Sequence, residues 1–364
     1  MIGKLKKLTV QLLLGANSFT IALLLLAGYS DRLYPVDHPL LSVMGMAFPV
    51  FLLINGAFLV VWLIFKWTKA WLPVLGFVLA YVPIRIYYPI HYPETVPDDA
   101  VKLVSYNVCA YIGNKEYADE LDKICDYLKA GQPDIVCLQE DIDEKHKGRF
   151  DALAKIFPHN DTVALCPNVV PVNYIGIHTR YPIIRRERIQ YKSRANGSVA
   201  WWLKVNGDTL IVINNHFESC HLNLNDRQQY QQILKGTMPG DSVRAESKLL
   251  LVKLAEANAL RAPQIDRVCQ YVKEHPGYPL VVCGDFNDTP ISYSRRAMSQ
   301  LLTDCYVETG RGLGISYNRE GFFFRIDHLF CSEQIRPYNC EIDTKIDASD
   351  HYPLVCSLKI GVKP

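Results

Sequence analysis

Five short stretches of this chain end apolar, strand-like runs on a hard oxygen donor or an imidazole. They are Val104-Ser105-Tyr106-Asn107, Leu138-Gln139-Glu140, Asn214-Asn215-His216, Gly284-Asp285-Phe286-Asn287 and Ser349-Asp350-His351. Carboxylate and amide oxygens suit hard divalent cations, and imidazole exchanges protons near neutral pH. Loops at one end of a sheet would bring all five to a single site for a metal ion and a phosphate group. Glu140 ends a run apolar enough to be buried, where a carboxylate needs a partner or a metal. Gly284 permits a tight turn, and alternation past it aims Asp285 and Asn287 one way and Phe286 into the core. Taken singly, Asn107 and Glu140 read as strand-end caps, and Asp285 with Asn287 as an Asx turn. Only as a set do they point to chemistry.

The elements that must position these residues follow from periodicity. From residue 101 the chain alternates strand-like and helix-like segments, an α/β or α+β pattern. Val101–Cys109 and Asp134–Gln139 read as strands, and Tyr117–Ala130 as a helix with Leu121, Ile124, Cys125 and Leu128 on one face. Ala262–His275 is amphipathic; Leu280–Cys283, Ile326–Cys331 and Leu354–Ile360 are strand-like. The longest irregular stretch runs from Phe217 to about Leu260 and ends in a helical run of mixed charge. Such an insertion is where substrate selection usually resides. Trp201-Trp202 and Phe322-Phe323-Phe324 read as core aromatics, with a substrate-facing or membrane-facing role as the alternative.

The first hundred residues have another character. Residues 8–30 and 39–65 hold no charged side chain, and an uncharged apolar run of about 20 residues matches a bilayer's hydrocarbon core. A third run, Ala70–Ile84, reaches spanning length if Arg85 snorkels. Lys4, Lys6 and Lys7 precede the first run, and Lys66 and Lys69 lie between the second and third. The positive-inside rule then puts the N-terminus and that second loop in the cytoplasm. Three spans would place the rest of the chain outside it; if the third run only lies on the surface, two spans leave the rest of the chain in the cytoplasm. The expected organisation is a membrane anchor over residues 1–88, a Pro-rich linker over 89–100 and a catalytic domain over 101–364.

Composition limits the choice of partners. The chain carries 39 Lys+Arg against 37 Asp+Glu, and residues 101–364 carry 32 of each sign. A domain that grips long nucleic acid usually has a basic excess. All 11 cysteines lie after residue 101; most sit in apolar runs and read as small buried hydrophobes. No Cys-x-x-Cys spacing occurs, which argues against a structural zinc site.

Together the five motifs resemble the endonuclease/exonuclease/phosphatase superfamily of Mg²⁺-dependent phosphodiesterases and phosphatases. The resemblance implies a four-layer DNase I-like sandwich, two mixed sheets flanked by helices, here preceded by transmembrane helices. It implies metal-assisted hydrolysis of a phosphoester. Glu140 would be the principal Mg²⁺ ligand, Mn²⁺ being a substitute ion, with Asn107 helping and the Asp350 carboxylate near the metal. Asp285 would orient or deprotonate the attacking water, and Asn287 would hold a non-bridging oxygen. His351 would contact the scissile phosphate as a cation, made more basic by the buried Asp327 that accepts its proton in a hydrogen bond, while His216 would act as general acid on the leaving oxygen. A tethered, neutral domain favours a lipid headgroup or small phosphate ester as substrate. A membrane-anchored nuclease is the alternative, which a basic strip near the site would mark. A non-catalytic module would have lost Glu140, Asp285 or His351.

Overall fold

The computed structural model describes residues 2–111, 117–141, 147–169, 172–220, 222, 224–319 and 321–361. The uncharged N-terminal runs form α1 (Ile2–Gly28), a one-turn α2 (Pro39–Ser42) and α3 (Phe48–Phe65). The stretches Lys4–Arg32 and Pro39–Phe65 are long and apolar enough to cross a membrane. Their few polar side chains meet one another: Asn17 donates to Asn55 over 3.1 Å, and Trp62 Nε1 donates to Asn17 over 3.0 Å. The third apolar run is a bent pair, α4 (Trp71–Leu79) and α5 (Tyr81–Tyr87), at 62° to each other.

The rest of the chain builds two six-stranded mixed sheets and a hairpin. The first sheet holds β1 (Val101–Asn107), β2 (Ile135–Asp141), β3 (His159–Ala164), β4 (Tyr174–Thr179), β13 (Ile335–Ile342) and β14 (Leu354–Ile360), in the order β13-β14-β1-β2-β4-β3. The second holds β5 (Ile183–Ile189), β6 (Gly197–Val205), β7 (Asp208–His216), β8 (Leu280–Asp285), β9 (Thr303–Asp304) and β12 (Asp327–Cys331), in the order β5-β6-β7-β8-β12-β9. The hairpin is β10 (Tyr317–Arg319) with β11 (Phe322–Phe324).

Alternation within single strands produces the layers. In β2, Ile135 and Cys137 join Leu103, Val199, Trp201 and Val281 between the two sheets. Val136 and Leu138 face outward onto α6 (Tyr117–Gly131) and α7 (Lys147–Ala154). In β8, Val281 and Cys283 face inward. Leu280 and Val282 pack outward with residues of α9 (Gly240–Glu274) and α10 (Tyr293–Ser299). Strands buried on both faces read as unbroken apolar runs, and β2 and β8 do. Trp201 and Trp202 are core residues as expected. The three phenylalanines are not uniformly so, since Phe323 is exposed on the hairpin.

Two expectations need correction. The stretch after Phe217 is mostly helical: α8 (Leu224–Leu234) and the first half of the 35-residue α9 occupy it. Mixed charge hides the period there, and Gly236 and Pro239 lie between the two helices. Gly284 lies inside β8, not in a turn. Its φ is +127°, and a Cβ there would fall 2.0 Å from the Asn215 carbonyl oxygen of β7. Close approach of neighbouring strands, as well as backbone freedom, requires glycine.

Residues 89–100 lie along the domain. Glu94 N donates to Asn339 Oδ1, Asn339 Nδ2 returns a bond to Glu94 O, each over 2.8 Å, and Arg336 pairs with Glu94 at 2.9 Å. The N-terminal helical segment touches the rest of the chain: Tyr34 donates to Asp266, Asn258 to Ser42, and the buried Arg325 to the Ile86 carbonyl at the end of α5.

Candidate active site

Strand register gathers the five motifs at one end of the sandwich. β1 and β2 run parallel with Asn107 opposite Gln139, so Asn107 and Glu140 leave the sheet together. β7 and β8 run parallel with His216 opposite Asp285, and β12 runs antiparallel with Asp327 opposite Asp285. β14 is antiparallel to β1, with Leu354 opposite Ser105. The Ser349–His351 turn before it therefore lies beside Asn107, and Ser349 Oγ donates to the Asn107 carbonyl over 2.7 Å.

Local structure aims each group. The β2–β4 ladder slips between Gln139 and Asp141, and Glu140 there has φ +51°. A bulge re-aims a side chain out of the ladder. Asp141 anchors that bulge from behind: it accepts from Tyr111 at 2.8 Å and sits 3.1 Å from His178 Nε2. Gly176 leaves space for its carboxylate, since a Cβ there would fall 2.0 Å from Asp141 Oδ2. Asn287 also adopts a left-handed φ of +51°. Its backbone N–H donates to Asp285 Oδ1 at 2.8 Å and its side chain to the Phe217 carbonyl at 3.0 Å. Phe286 between them is buried against Phe217 and Phe330.

The polar groups then meet. Asn107 Nδ2 lies 3.2 Å from Glu140 Oε1 and 3.1 Å from Asp285 Oδ2. His351 Nδ1 is 2.8 Å from Asp327 Oδ2, while its Nε2 is 3.7 Å from Asp285 Oδ2. His216 Nε2 stands 3.6 Å from Asp285 and 3.9 Å from Glu140. Glu140, His216, Asp285, Asn287, Asp350 and His351 line one cleft. His328 points elsewhere, 2.9 Å from the Asp288 carbonyl.

Electrostatics separates the two histidines. Burial opposes charge on His351, but Asp327 and Asp285 outweigh it and hold its pKa up to about 10. Burial pushes His216 down, aided by the positive charge of His351 and opposed by Asp285. Its Nδ1 lies 3.2 Å from Asn173 Nδ2, an amide rather than a carboxylate. With that amide donating, Nδ1 accepts and the neutral ring carries its proton on Nε2, facing the cleft. Asp285 is raised by burial and by Asp327, against the pull of His351. Glu140 is raised by burial and by the charge of Asp350.

That mutual repulsion is an invitation to a cation. Glu140 and Asp350 offer carboxylate oxygens, which suit a hard divalent ion; Asn107, expected to help as a ligand, instead turns its Nδ2 to Glu140 while its Oδ1 accepts from the Cys109 N–H at 3.0 Å. Asp285, Asp327 and His351 also bring donor atoms within 4.8 Å of one another. In that trio, however, Nδ1 of His351 already meets Asp327 in a hydrogen bond, so the oxygen set at Glu140 is the better metal site.

Motif reading missed several residues of the cleft. Arg227 on α8 lines it and pulls Glu140 downward. The Tyr317 ring stands edge-on to His351 at 5.1 Å, and Asn173 supports His216. None belongs to a strand-end motif; each arrives from a helix, hairpin or loop folded over the sheet ends.

A family model described as the Endonuclease/Exonuclease/phosphatase family matches residues 104–351. One described as a domain of unknown function matches residues 10–87. A search of curated proteins found no match. Among solved structures, the human Nocturnin catalytic domain aligns with a TM-score of 0.52 at 16% identity, covering 73% of this chain and 96% of that one. A humanised D. rerio TDP2 aligns at 0.51 and 17%, covering 72% and 100%. An endonuclease/exonuclease/phosphatase family protein from Bacteroides thetaiotaomicron aligns at 0.50 and 17%, covering 75% and 100%. At these identities the likeness is one of fold, a DNase I-like sandwich.

Proposed function

Because the chain belongs to the endonuclease/exonuclease/phosphatase family, a family of metal-dependent phosphoric ester hydrolases, we propose that it is a membrane-tethered, Mg²⁺-dependent enzyme that cleaves the phosphoester of a lipid headgroup or small phosphate ester. The observation that carries this reading is the convergence of Glu140, Asp285, His216 and the Asp327–His351 pair in one cleft.

Glu140 would hold the ion together with Asp350, and Asn107 would assist by orienting the Glu140 carboxylate through its Nδ2. When bound, Mg²⁺ supplies Lewis-acid polarisation of a phosphoryl oxygen and neutralises charge. Asp285, made more basic by burial, orients and deprotonates the attacking water. Asn287 holds a non-bridging oxygen. His351, cationic because Asp327 and Asp285 stabilise its proton, stabilises the charge that develops on the phosphoryl group. His216 presents Nε2–H to the leaving oxygen, and the negative charge of the bound phosphate favours protonation of its ring, against the burial that disfavours it.

The tether's geometry supports a domain outside the cytoplasm. The loop between α1 and α3 is hydrogen-bonded to the domain through Tyr34 and Ser42, so the two share one side of the membrane. That requires the bent α4–α5 pair to cross. The nuclease alternative is less favoured: among the described residues lining the cleft, Arg227 is the sole Lys or Arg, and a nucleic-acid groove needs several.

The test is a substrate comparison with the full-length chain in lipid nanodiscs. Release of headgroup from phospholipid or sphingolipid, or of 4-nitrophenol from a small diester, is expected at rates well above those on single- or double-stranded DNA. Preferential cleavage of DNA would replace this reading with the nuclease.

A further inference from the structure

The loop that joins the first two apolar helices reaches the active-site cleft. Met46 lines that cleft together with Glu140, His216 and Asp285. One residue earlier, a Cβ on Gly45 would fall 1.9 Å from the Ile291 carbonyl oxygen. The loop backbone therefore lies directly on the segment that follows Asn287. A hydrogen-bonded chain runs alongside. Ser42 Oγ accepts from Asn258 at 3.0 Å, and Asn258 Oδ1 accepts from Arg261 at 2.9 Å. The fully buried Arg261 pairs with Asp288 at 3.1 Å and donates to the Glu218 carbonyl at 3.0 Å. These last two partners are neighbours of Asn287 and His216.

The cleft is two-sided. Its floor is the polar set already described. Its wall is Met46, Leu222, Leu254, Phe322, Phe324 and Ile326. All of these but Phe322 keep a substantial part of their surface out of the core, so the wall presents apolar area to whatever enters. Phosphoester hydrolysis itself has no use for such a wall, and neither does a small polar ester.

We propose that Met46 is a specificity-determining residue, and that the anchor's loop completes an apolar wall for the long chain of an amphiphilic phosphate ester entering from the bilayer surface. The proposal rests on the phosphoesterase reading above. It makes the anchor part of the catalytic unit rather than a leash. Each methylene moved from water onto such a wall is worth roughly fourfold in affinity, so a chain-length series reports on it directly.

The experiment uses full-length protein in nanodiscs with Mg²⁺ and 4-nitrophenyl alkyl phosphates from methyl to octyl, which share one reacting phosphate. The wild type is expected to prefer octyl over methyl at least tenfold in kcat/KM, mainly through KM. Met46→Asp is expected to reduce that preference at least tenfold relative to wild type, and Met46→Leu to retain it. Partition into the disc is common to all three proteins and cancels in the comparison. A Met46→Asp preference within twofold of wild type would overturn the proposal. So would a flat wild-type series with the methyl ester turned over, and that series decides alone if Met46→Asp does not fold. Both results leave the phosphoesterase reading standing. Turnover of no ester with Mg²⁺ or Mn²⁺ would remove that reading and this proposal with it.

Discussion

Replacing Asp327 by Asn isolates the electrostatic role of the buried Asp–His pair. The substitution keeps size and shape and removes one negative charge 2.8 Å from His351 Nδ1. In the wild type, burial opposes the His351 proton, but Asp327 and Asp285 hold its pKa up to about 10 against an ordinary 6.5. A displacement of that size corresponds to a differential on the order of 5 kcal/mol between the two protonation states. Asp327 is the leading favourable contributor, so its loss should lower the His351 pKa by roughly two units or more on that scale. A raised folded-state pKa contributes stability that is fully present below about pH 6.5 and is lost as pH rises toward about 10. Asp327→Asn should therefore narrow the thermal-stability gap to wild type as pH climbs through that window. The assay is the pH profile of kcat/KM on a chromogenic diester, in wild type, Asp327→Asn, His351→Ala and the double variant. Wild type should keep a charged His351 through pH 9. Asp327→Asn should lose activity from about pH 8 upward and fall by about tenfold relative to wild type at pH 9, the loss of protonation that a two-unit drop implies. Asp327→Asn should cost little on the His351→Ala background, because coupled residues are not additive. A profile superimposed on wild type, or an equal cost on both backgrounds, would refute the reasoning.

Three further outcomes are expected. Asp285→Asn and His351→Ala should each lower turnover by about 10²-fold or more while the far-UV circular dichroism stays unchanged; normal turnover in either purified variant removes that residue from the mechanism. Gly284→Ala should destabilise the domain by about 3 kcal/mol or more, since both φ +127° and the 2.0 Å approach to Asn215 O forbid a Cβ, and lower Tm by about 6–12 °C; an unchanged Tm would mean the two strands yield freely there. Topology reporters placed in the loop after Arg32 and at Pro97 should report the same side, and one at Lys69 the opposite side; matching signals at Lys69 and Pro97 would show that α4–α5 does not cross.

Much of the site was legible because its residues are contiguous with strand ends, and the residues of a strand and of the loop after it stay neighbours however the sheet packs. Asp285 and Asn287 could be read beside Leu280–Cys283, and Glu140 beside a buried strand, without knowing the sheet order. What sequence could not carry was contact between distant elements. Gly284 is required by Asn215 on the next strand, a register fact and not a turn. The bulge that turns Glu140 outward depends on Asp141, Tyr111 and His178, which come from three different segments. Asn173, Arg227 and Tyr317 reach the cleft by folding over it, and no local pattern marks them. The helices after Phe217 were hidden because their surfaces carry mixed charge on several faces. Likewise, the uncharged runs marked helices long and apolar enough to cross a membrane, but the docking of the loop between them through Ser42, Gly45 and Met46 depends on side chains that are unremarkable in sequence.

The most direct test of the central claim is metal-dependent turnover by the intact chain. Purified protein in nanodiscs should hydrolyse bis(4-nitrophenyl) phosphate with Mg²⁺ or Mn²⁺, lose that activity in excess EDTA and regain it when Mg²⁺ is restored. Glu140→Ala should fall by about 10²-fold or more under saturating Mg²⁺, because it removes the principal oxygen ligand. Full activity in excess EDTA, or in Glu140→Ala, would contradict a metal-assisted phosphoesterase built on this cleft.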